Sequence, residues 1–297
     1  MASRSFRLLG SITFATRYTC FMNNKHKAMW AVVALFVIFL GIFLWYMVFR
    51  PAPITQVVPI DTIATTTPVV VSSEPVQITE NSEYYELDAT YPSATPLAAS
   101  AGAAADAAAV ARLRGFAQES LVSFKKNNDL TNITPARIES EMLTDGRMYA
   151  IGLEYKLHEG PKTITYVYQI YENTLGAHPN ANYRTFTFDR ATGAELSLGD
   201  LFTPGSNYLS RISERTRTAL PGIMAKIAGI SASEVDREYI NTGTEPKAES
   251  FQSFAIDGSN LIVIFPPYQV APYVYGRIDV TIPLSELNSL LKEQYRI

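Results

Sequence analysis

Three histidines, His26, His158 and His178, and one cysteine, Cys20, are all the imidazole and thiol the chain possesses. A lone thiol forms no intrachain disulfide and cannot build a zinc cage from thiolates. Only His158 and His178 lie in the long C-terminal part, so an Asp-His-His metal site would consume both and borrow an acid from elsewhere. No metal or cofactor is expected. The sequence has no Walker loop, G-x-S-x-G elbow, H-E-x-x-H pair or dinucleotide fingerprint, and no residue is assigned a catalytic role. Two segments still gather groups able to bind. Leu175-Gly176-Ala177-His178-Pro179-Asn180 leaves a tyrosine-rich strand, and Pro266-Pro267-Tyr268-Gln269-Val270-Ala271-Pro272-Tyr273-Val274-Tyr275-Gly276 is a proline-stiffened aromatic loop between two strands. Tyrosine offers a large contact area with few rotors to freeze. The candidate ligand-binding residues are therefore His178, Asn180, Tyr268, Tyr273 and Tyr275. The competing reading makes His178 a turn cap and the tyrosines the edge of a core. A hydrolase reading pairs His178 with Glu172 or Asp189.

The elements that must position these groups are visible as hydrophobic periods. Tyr149, Ile151, Leu153, Tyr155 and Leu157 alternate with polar residues, and Ile164, Tyr166, Tyr168 and Ile170 repeat the alternation after Gly160-Pro161, which predicts an antiparallel hairpin. Phe186 and Phe188 mark a further strand, ended by the turn at 189–193. Asp257-Gly258-Ser259-Asn260 turns Phe254 and Ile256 into Leu261-Ile262-Val263-Ile264-Phe265, an unbroken apolar run expected of a strand buried on both faces. Ile278, Val280 and Ile282 form another strand. Three helices are expected: an Ala-rich one over about 101–126 with Val110, Leu113, Ala117, Leu121 and Phe124 on one stripe, one through Leu209, Ile212 and Leu220, and one opened by Pro283 with Leu284, Leu287 and Leu291 inward. Strands in runs between single helices indicate an α+β fold with antiparallel sheet.

Over 297 residues the net charge is −3, with 47% hydrophobic and 18% charged residues, which excludes a disordered chain and a globally basic nucleic-acid binder. The average hides a polar organisation. Met29 to Phe49 runs 21 residues without a charge, about 31 Å as a helix and enough for a hydrocarbon core of roughly 30 Å. Trp30, Trp45 and Tyr46 lie near its ends, where amphipathic rings prefer the headgroups. Arg4, Arg7, Arg17, Lys25 and Lys27 precede it with no acid among them, so the N-terminus is expected in the cytoplasm. Without those five cations the rest of the chain has 20 basic against 28 acidic residues, an acidic exterior unsuited to nucleic acid. The run is too long for the core of a cleaved signal, which makes it an uncleaved signal anchor. Met22 opens a compact basic flank of its own and is an alternative start to Met1. The organisation expected is a short basic segment 1–28, a transmembrane helix 29–49, a Pro/Thr-rich stalk 50–75, a first subdomain 76–145 and a C-terminal α+β subdomain 146–297.

Gly176-Ala177-His178-Pro179-Asn180, then Phe186 through Phe202 (FTFDRATGAELSLGDLF), then Pro267 through Leu287 (PYQVAPYVYGRIDVTIPLSEL) carry a family resemblance. They are similar to the domain of unknown function in the extracytoplasmic half of the RsiV type of anti-sigma factor, also found beside the deacetylase domain of PdaC. With the strand from Glu83 to Pro92, the resemblance covers roughly residues 78 to 293. It implies an α+β fold outside the membrane and, from the anti-sigma case, recognition of lysozyme that triggers proteolysis of the anchor. Residues 1–28 do not look like a sigma-sequestering segment, and the sequence carries no deacetylase signature. Envelope location and a binding or sensing role carry over, with an envelope protein or a cell-wall glycan as partner besides the bilayer. A wall hydrolase and a purely structural envelope protein are the alternatives. Protease added to intact cells is expected to digest the part beyond residue 50; protection there, with cleavage only after lysis, would reverse the orientation.

Overall fold

The computed structural model describes residues 74–297. The basic segment 1–28 with both candidate starts, the span Met29 to Phe49 and nearly all of the stalk lie outside the described residues. Among those described, no helix is long and apolar enough to cross a membrane.

Strands β1 (Pro75–Asn81) and β2 (Tyr85–Pro92) form an antiparallel hairpin at one edge of a six-stranded sheet. The chain then crosses over through α1 (Gly102–Asn127) and the short α2 (Pro135–Ser140) before entering β3 (Tyr149–Glu159). A crossover returns the chain in its original direction, so β2 and β3 pair in parallel, Tyr85 opposite Tyr149. This one parallel pair departs from the wholly antiparallel sheet expected. β4 (Thr163–Asn173), β5 (Asn180–Asp189) and β6 (Glu195–Leu196) complete the sheet antiparallel, in sequence order. The sheet thus takes strands from both sides of residue 145.

Both periods predicted for this half meet at one core. Ala109, Leu113, Ala117, Leu121 and Phe124 recur at helical spacing along α1 and are buried against Ile151 and Leu153 of β3, Ile164, Tyr166 and Tyr168 of β4, and Phe186 and Phe188 of β5. Ala109 occupies the stripe position that the sequence suggested for Val110. Arg137 closes the lower end: its guanidinium donates to the carbonyls of Asn128 and Asp129 and to the Tyr149 hydroxyl, and pairs with Glu141.

The second half builds a second core. A 3-10 turn, Leu198–Leu201, is closed by a capping box in which Ser197 and Asp200 exchange hydrogen bonds. It leads to α3 (Tyr208–Ala228), α4 (Arg237–Gly243) and a three-stranded antiparallel sheet of β7 (Phe254–Asp257), β8 (Asn260–Phe265) and β9 (Ile278–Pro283). Leu261, Val263 and Phe265 of β8 are buried with Ile212, Leu220 and Met224 of α3. On its other face Ile264 packs with Ala255 and with Val167 of β4. The layers run α1, large sheet, small sheet, α3, and the unbroken apolar run of β8 follows from its having a layer on each side.

The helix expected after Pro283 is absent. Pro283 is the last residue of β9, and two short 3-10 turns follow, Leu284–Glu286 and Glu293–Tyr295. The reason is where the backbone hydrogen bonds go: Thr203 donates to Leu290, Lys292 donates to Leu201, and Phe202 bridges Leu291, so this segment is drawn out alongside residues 201–203. Leu284, Leu287 and Leu291 are buried in the second core all the same.

One group in the first core stands out. Tyr168 is fully buried, yet its hydroxyl has no hydrogen-bond partner. Leaving a buried hydroxyl unpaired costs roughly 1–3 kcal/mol. Tyr168→Phe is therefore expected to raise the urea midpoint, with a gain of about 1 kcal/mol; a loss of stability would show the hydroxyl to be satisfied. Burial also pushes the hydroxyls of Tyr166 and Tyr168 well above the usual tyrosine range, with neighbouring tyrosines adding to it. A folded-state value above the unfolded one means stability present below about pH 10 and lost as pH rises past it. The Phe variant should lose less there.

Candidate functional site

The loop over 266–277 connects β8 to β9 and is fixed at its middle. Val270 and Ala271 are buried in the second core, and the Gln269 side-chain amide donates to the carbonyls of Gly243 and Ser250 at 2.9 and 2.8 Å. Gly243, the last residue of α4, lies so close that an added Cβ would come within 2.0 Å of the Gln269 carbonyl oxygen. Tyr268, just before this clamp, sits at φ +73°, a left-handed conformation that costs a non-glycine residue about 1 kcal/mol or more. The clamp holds it there and turns its ring outward, 55% exposed.

The facing turn joins β4 to β5. Arg147 donates to the Leu175 carbonyl at 2.7 Å, and the Asn173 side chain both donates to Met148 and accepts from the Leu175 amide. That brace sets the path of His178. Its ring stacks on Tyr273, centroids 4.1 Å apart and planes 23° from parallel, and Tyr268 tilts against Tyr273 at 5.5 Å. The Tyr273 hydroxyl donates to the Pro179 carbonyl at 2.8 Å. His178 Nδ1 lies 2.9 Å from the same oxygen and, since a carbonyl only accepts, must carry the proton. In the neutral ring Nε2 is then an acceptor, and the Tyr268 hydroxyl lies 3.5 Å from it. Beside the cluster, Arg277 lies over the Tyr183 ring at 4.9 Å and is gripped by both carboxylate oxygens of Asp279 at 2.6 Å. Burial raises the Tyr183 hydroxyl above its usual range.

The structure thus brings together three of the five residues singled out from sequence. Asn180 opens β5 opposite Glu172, on the face of the sheet that α1 covers, whereas the aromatic cluster meets the other face. Tyr275, partly buried, packs against the second core. Neither acid considered for a hydrolase bonds to His178. Asp189 stands at the far end of β5, accepting from the amides of Ala191 and Thr192 and from the Tyr295 hydroxyl. His158, buried at the junction of the two sheets 3.3 Å from Asp257, pairs with Thr165 at the opposite end of β4 from His178, so the two imidazoles cannot share a metal. Among the described residues no cluster of three or more His, Cys, Asp and Glu is placed to hold one. Sequence reasoning missed Tyr183 with Arg277, although Arg277 and Asp279 at strand spacing share one face and were a readable signal.

What relatives share can now be set against this geometry. Residues 199–285 match the family described as Protein of unknown function (DUF3298). The match covers less than a third of the chain. The matched stretch takes in α3, the small sheet and the loop 266–277, while His178 lies outside it, so the aromatic cluster is assembled across its boundary. Peptidoglycan-N-acetylmuramic acid deacetylase PdaC of Bacillus subtilis is 30% identical over 184 residues, 62% of this chain and 36% of the relative. Esterase Rv3036c of Mycobacterium tuberculosis is 27% identical over 128 residues, 43% of this chain and 52% of the relative. The chain therefore spans about a third to a half of these relatives. A DUF3298 family protein from Pseudomonas aeruginosa aligns with a TM-score of 0.46 at 16% identity, covering 75% of this chain and 94% of its own. A member of the family from Bacteroides fragilis gives 0.49 at 15%, covering 74% and 93%.

Gly243→Ala tests whether the clamp positions the cluster. The added methyl meets backbone, which cannot rotate away, so a cost of about 2 kcal/mol is expected, within the usual range for overpacking. The loop should shift with it, and the upfield ring-current shift that Tyr273 gives the His178 ring protons should shrink. Unaltered His178 resonances would show that the loop is held by other means.

Proposed function

We propose that this protein is a binding or sensing module of the cell envelope, held at the membrane by Met29 to Phe49 with residues beyond 50 outside, and that His178, Tyr268 and Tyr273 contact an envelope protein. The observation that carries the reading is the assembly of these three rings from two separately anchored loops into one exposed patch. Val274 adds to it, 85% exposed beside the tyrosines. Stiff aromatic groups on braced loops lose little entropy on binding, and tyrosine is among the residues that dominate interface energetics. Tyr268 at 55% and Val274 at 85% exposure offer open apolar area, which favours a macromolecular partner over a small substrate. The name of the PdaC relative supports an envelope setting, as does the uncharged run near the N-terminus.

The full-length chain in nanodiscs, titrated with lysozyme and with soluble muropeptides, tests this. Tyr268→Ala and Tyr273→Ala should each weaken capture of the protein partner by about 1–3 kcal/mol, roughly ten- to a hundred-fold. Turnover of either probe, lost in His178→Ala, would replace the binding reading with a hydrolytic one.

A further inference from the structure

On the far side of the large sheet from the aromatic patch, α1 stands away from β3, β4 and β5 at its C-terminal half and leaves a groove of about 490 Å³. This is within the 300–1,000 Å³ of ordinary small-molecule sites. Its floor is apolar, from Phe116 of α1 and from Ile151 and Ile170 of the sheet. The register explains the walls: Asn182 sits directly opposite Ile170, and Glu172 directly opposite Ile151, so the strands that build the first core turn polar on the same face as they leave it.

Those polar groups are uncommitted. Among the described residues the side chains of Glu119, Asn127, Glu172 and Asn182 make no hydrogen bond, and no Lys, Arg or His lines the groove. A solvated helix face would show such side chains diverging over a convex surface. Here they line one groove from two elements around an apolar floor, Glu172 half-buried and the other three exposed, an arrangement that ligand sites share.

We infer that this groove binds a short oligosaccharide bearing free amines. A pyranose ring presents an apolar face of C–H groups to a floor such as Phe116 with Ile170, and hydroxyls around its edge to amides such as Asn127 and Asn182. Glu119 and Glu172 then receive the amines, and a wall with two carboxylates and no cation disfavours anionic ligands. The site is distinct from the aromatic patch and does not depend on it.

The test uses the full-length chain in nanodiscs with a glucosamine tetramer, its fully N-acetylated counterpart and spermine. The free-amine tetramer should bind, protecting backbone amides in 116–128 and 170–182 from hydrogen exchange, and the acetylated one at least five-fold more weakly. Asn182→Ala should weaken binding about ten-fold, and Glu172→Gln should remove the preference for the amine. Neither side chain supports the fold, so both variants should keep the parent melting temperature. Gln169→Ala, exposed on the opposite face of β4, should change nothing. Absence of binding, equal binding of spermine, or protection mapping elsewhere would overturn the assignment.

Discussion

Burial of the small sheet on both faces is the constraint on which the rest depends. One face of β8 seals against α3 through Leu261, Val263 and Phe265, and the other meets Val167 of β4 through Ile264. The second contact is small, but its geometry is tight. An added Cβ on Gly160, in the turn between β3 and β4, would lie 2.5 Å from Ile256, and the Gly258 amide donates to the Glu159 carbonyl. The hairpin and the small sheet are thereby fixed at the Gly160 end of β4. At the other end of the same strand, the turn with His178 and the loop with Tyr273 project past the sheets and find each other. Close packing transmits position because interiors have few voids to absorb a shift.

How much of this could be read from the residues varies with the range of the interaction. The stripe on α1, the alternation in β3 and β4 and the apolar run of β8 are local patterns imposed by one buried face or two, and each produced the element expected. What failed was non-local. Leu284, Leu287 and Leu291 have helical spacing and are buried, but their backbone is claimed by residues 201–203, a competition that no window of sequence contains. The parallel pairing of β2 with β3 is likewise set by the length of the crossover and not by the strands themselves. Composition singled out His178, Tyr268 and Tyr273 as candidates, but their meeting across 90 residues of chain is a product of topology. Tyr275 shares a short 3-10 turn with Tyr273 yet packs against the second core, a difference that composition does not show.

The boundary of the DUF3298 match gains meaning from the two cores. Residues 199–285 contain most of the second core and almost nothing of the first. A domain of this extent carries Tyr268 and Tyr273 with the means to hold them, including Gly243 and Gln269, yet lacks the histidine they stack on. Pro179 supplies the carbonyl that both Tyr273 and His178 address, and it too comes from the first half. The loop is therefore shaped by one core and finished by the other, so the aromatic surface of this chain depends on residues that precede the matched stretch.

The large sheet also separates two kinds of surface by a rule as simple as strand alternation. Along β5, Tyr183 and Thr185 point toward the small sheet while Asn182 and Arg184 point toward α1, and β4 divides in the same way. Near the middle of the strands both faces are covered, by α1 on one side and by β7 and β8 on the other, and apart from the unpaired Tyr168 hydroxyl the residues there are apolar or, like the Thr165 and Thr187 hydroxyls at 3.0 Å, paired. Toward the end bearing His178 both covers withdraw. One face is then finished by rings that stack on one another and leave their edges to solvent, and the other by carboxylates and amides that bond to nothing in the fold. A one-residue slip of β5 against β4 would exchange Asn182 with Tyr183 and destroy both surfaces together. Phe186 and Phe188, locked under α1, prevent it, so the core residues that fix the register also determine which chemistry each face presents.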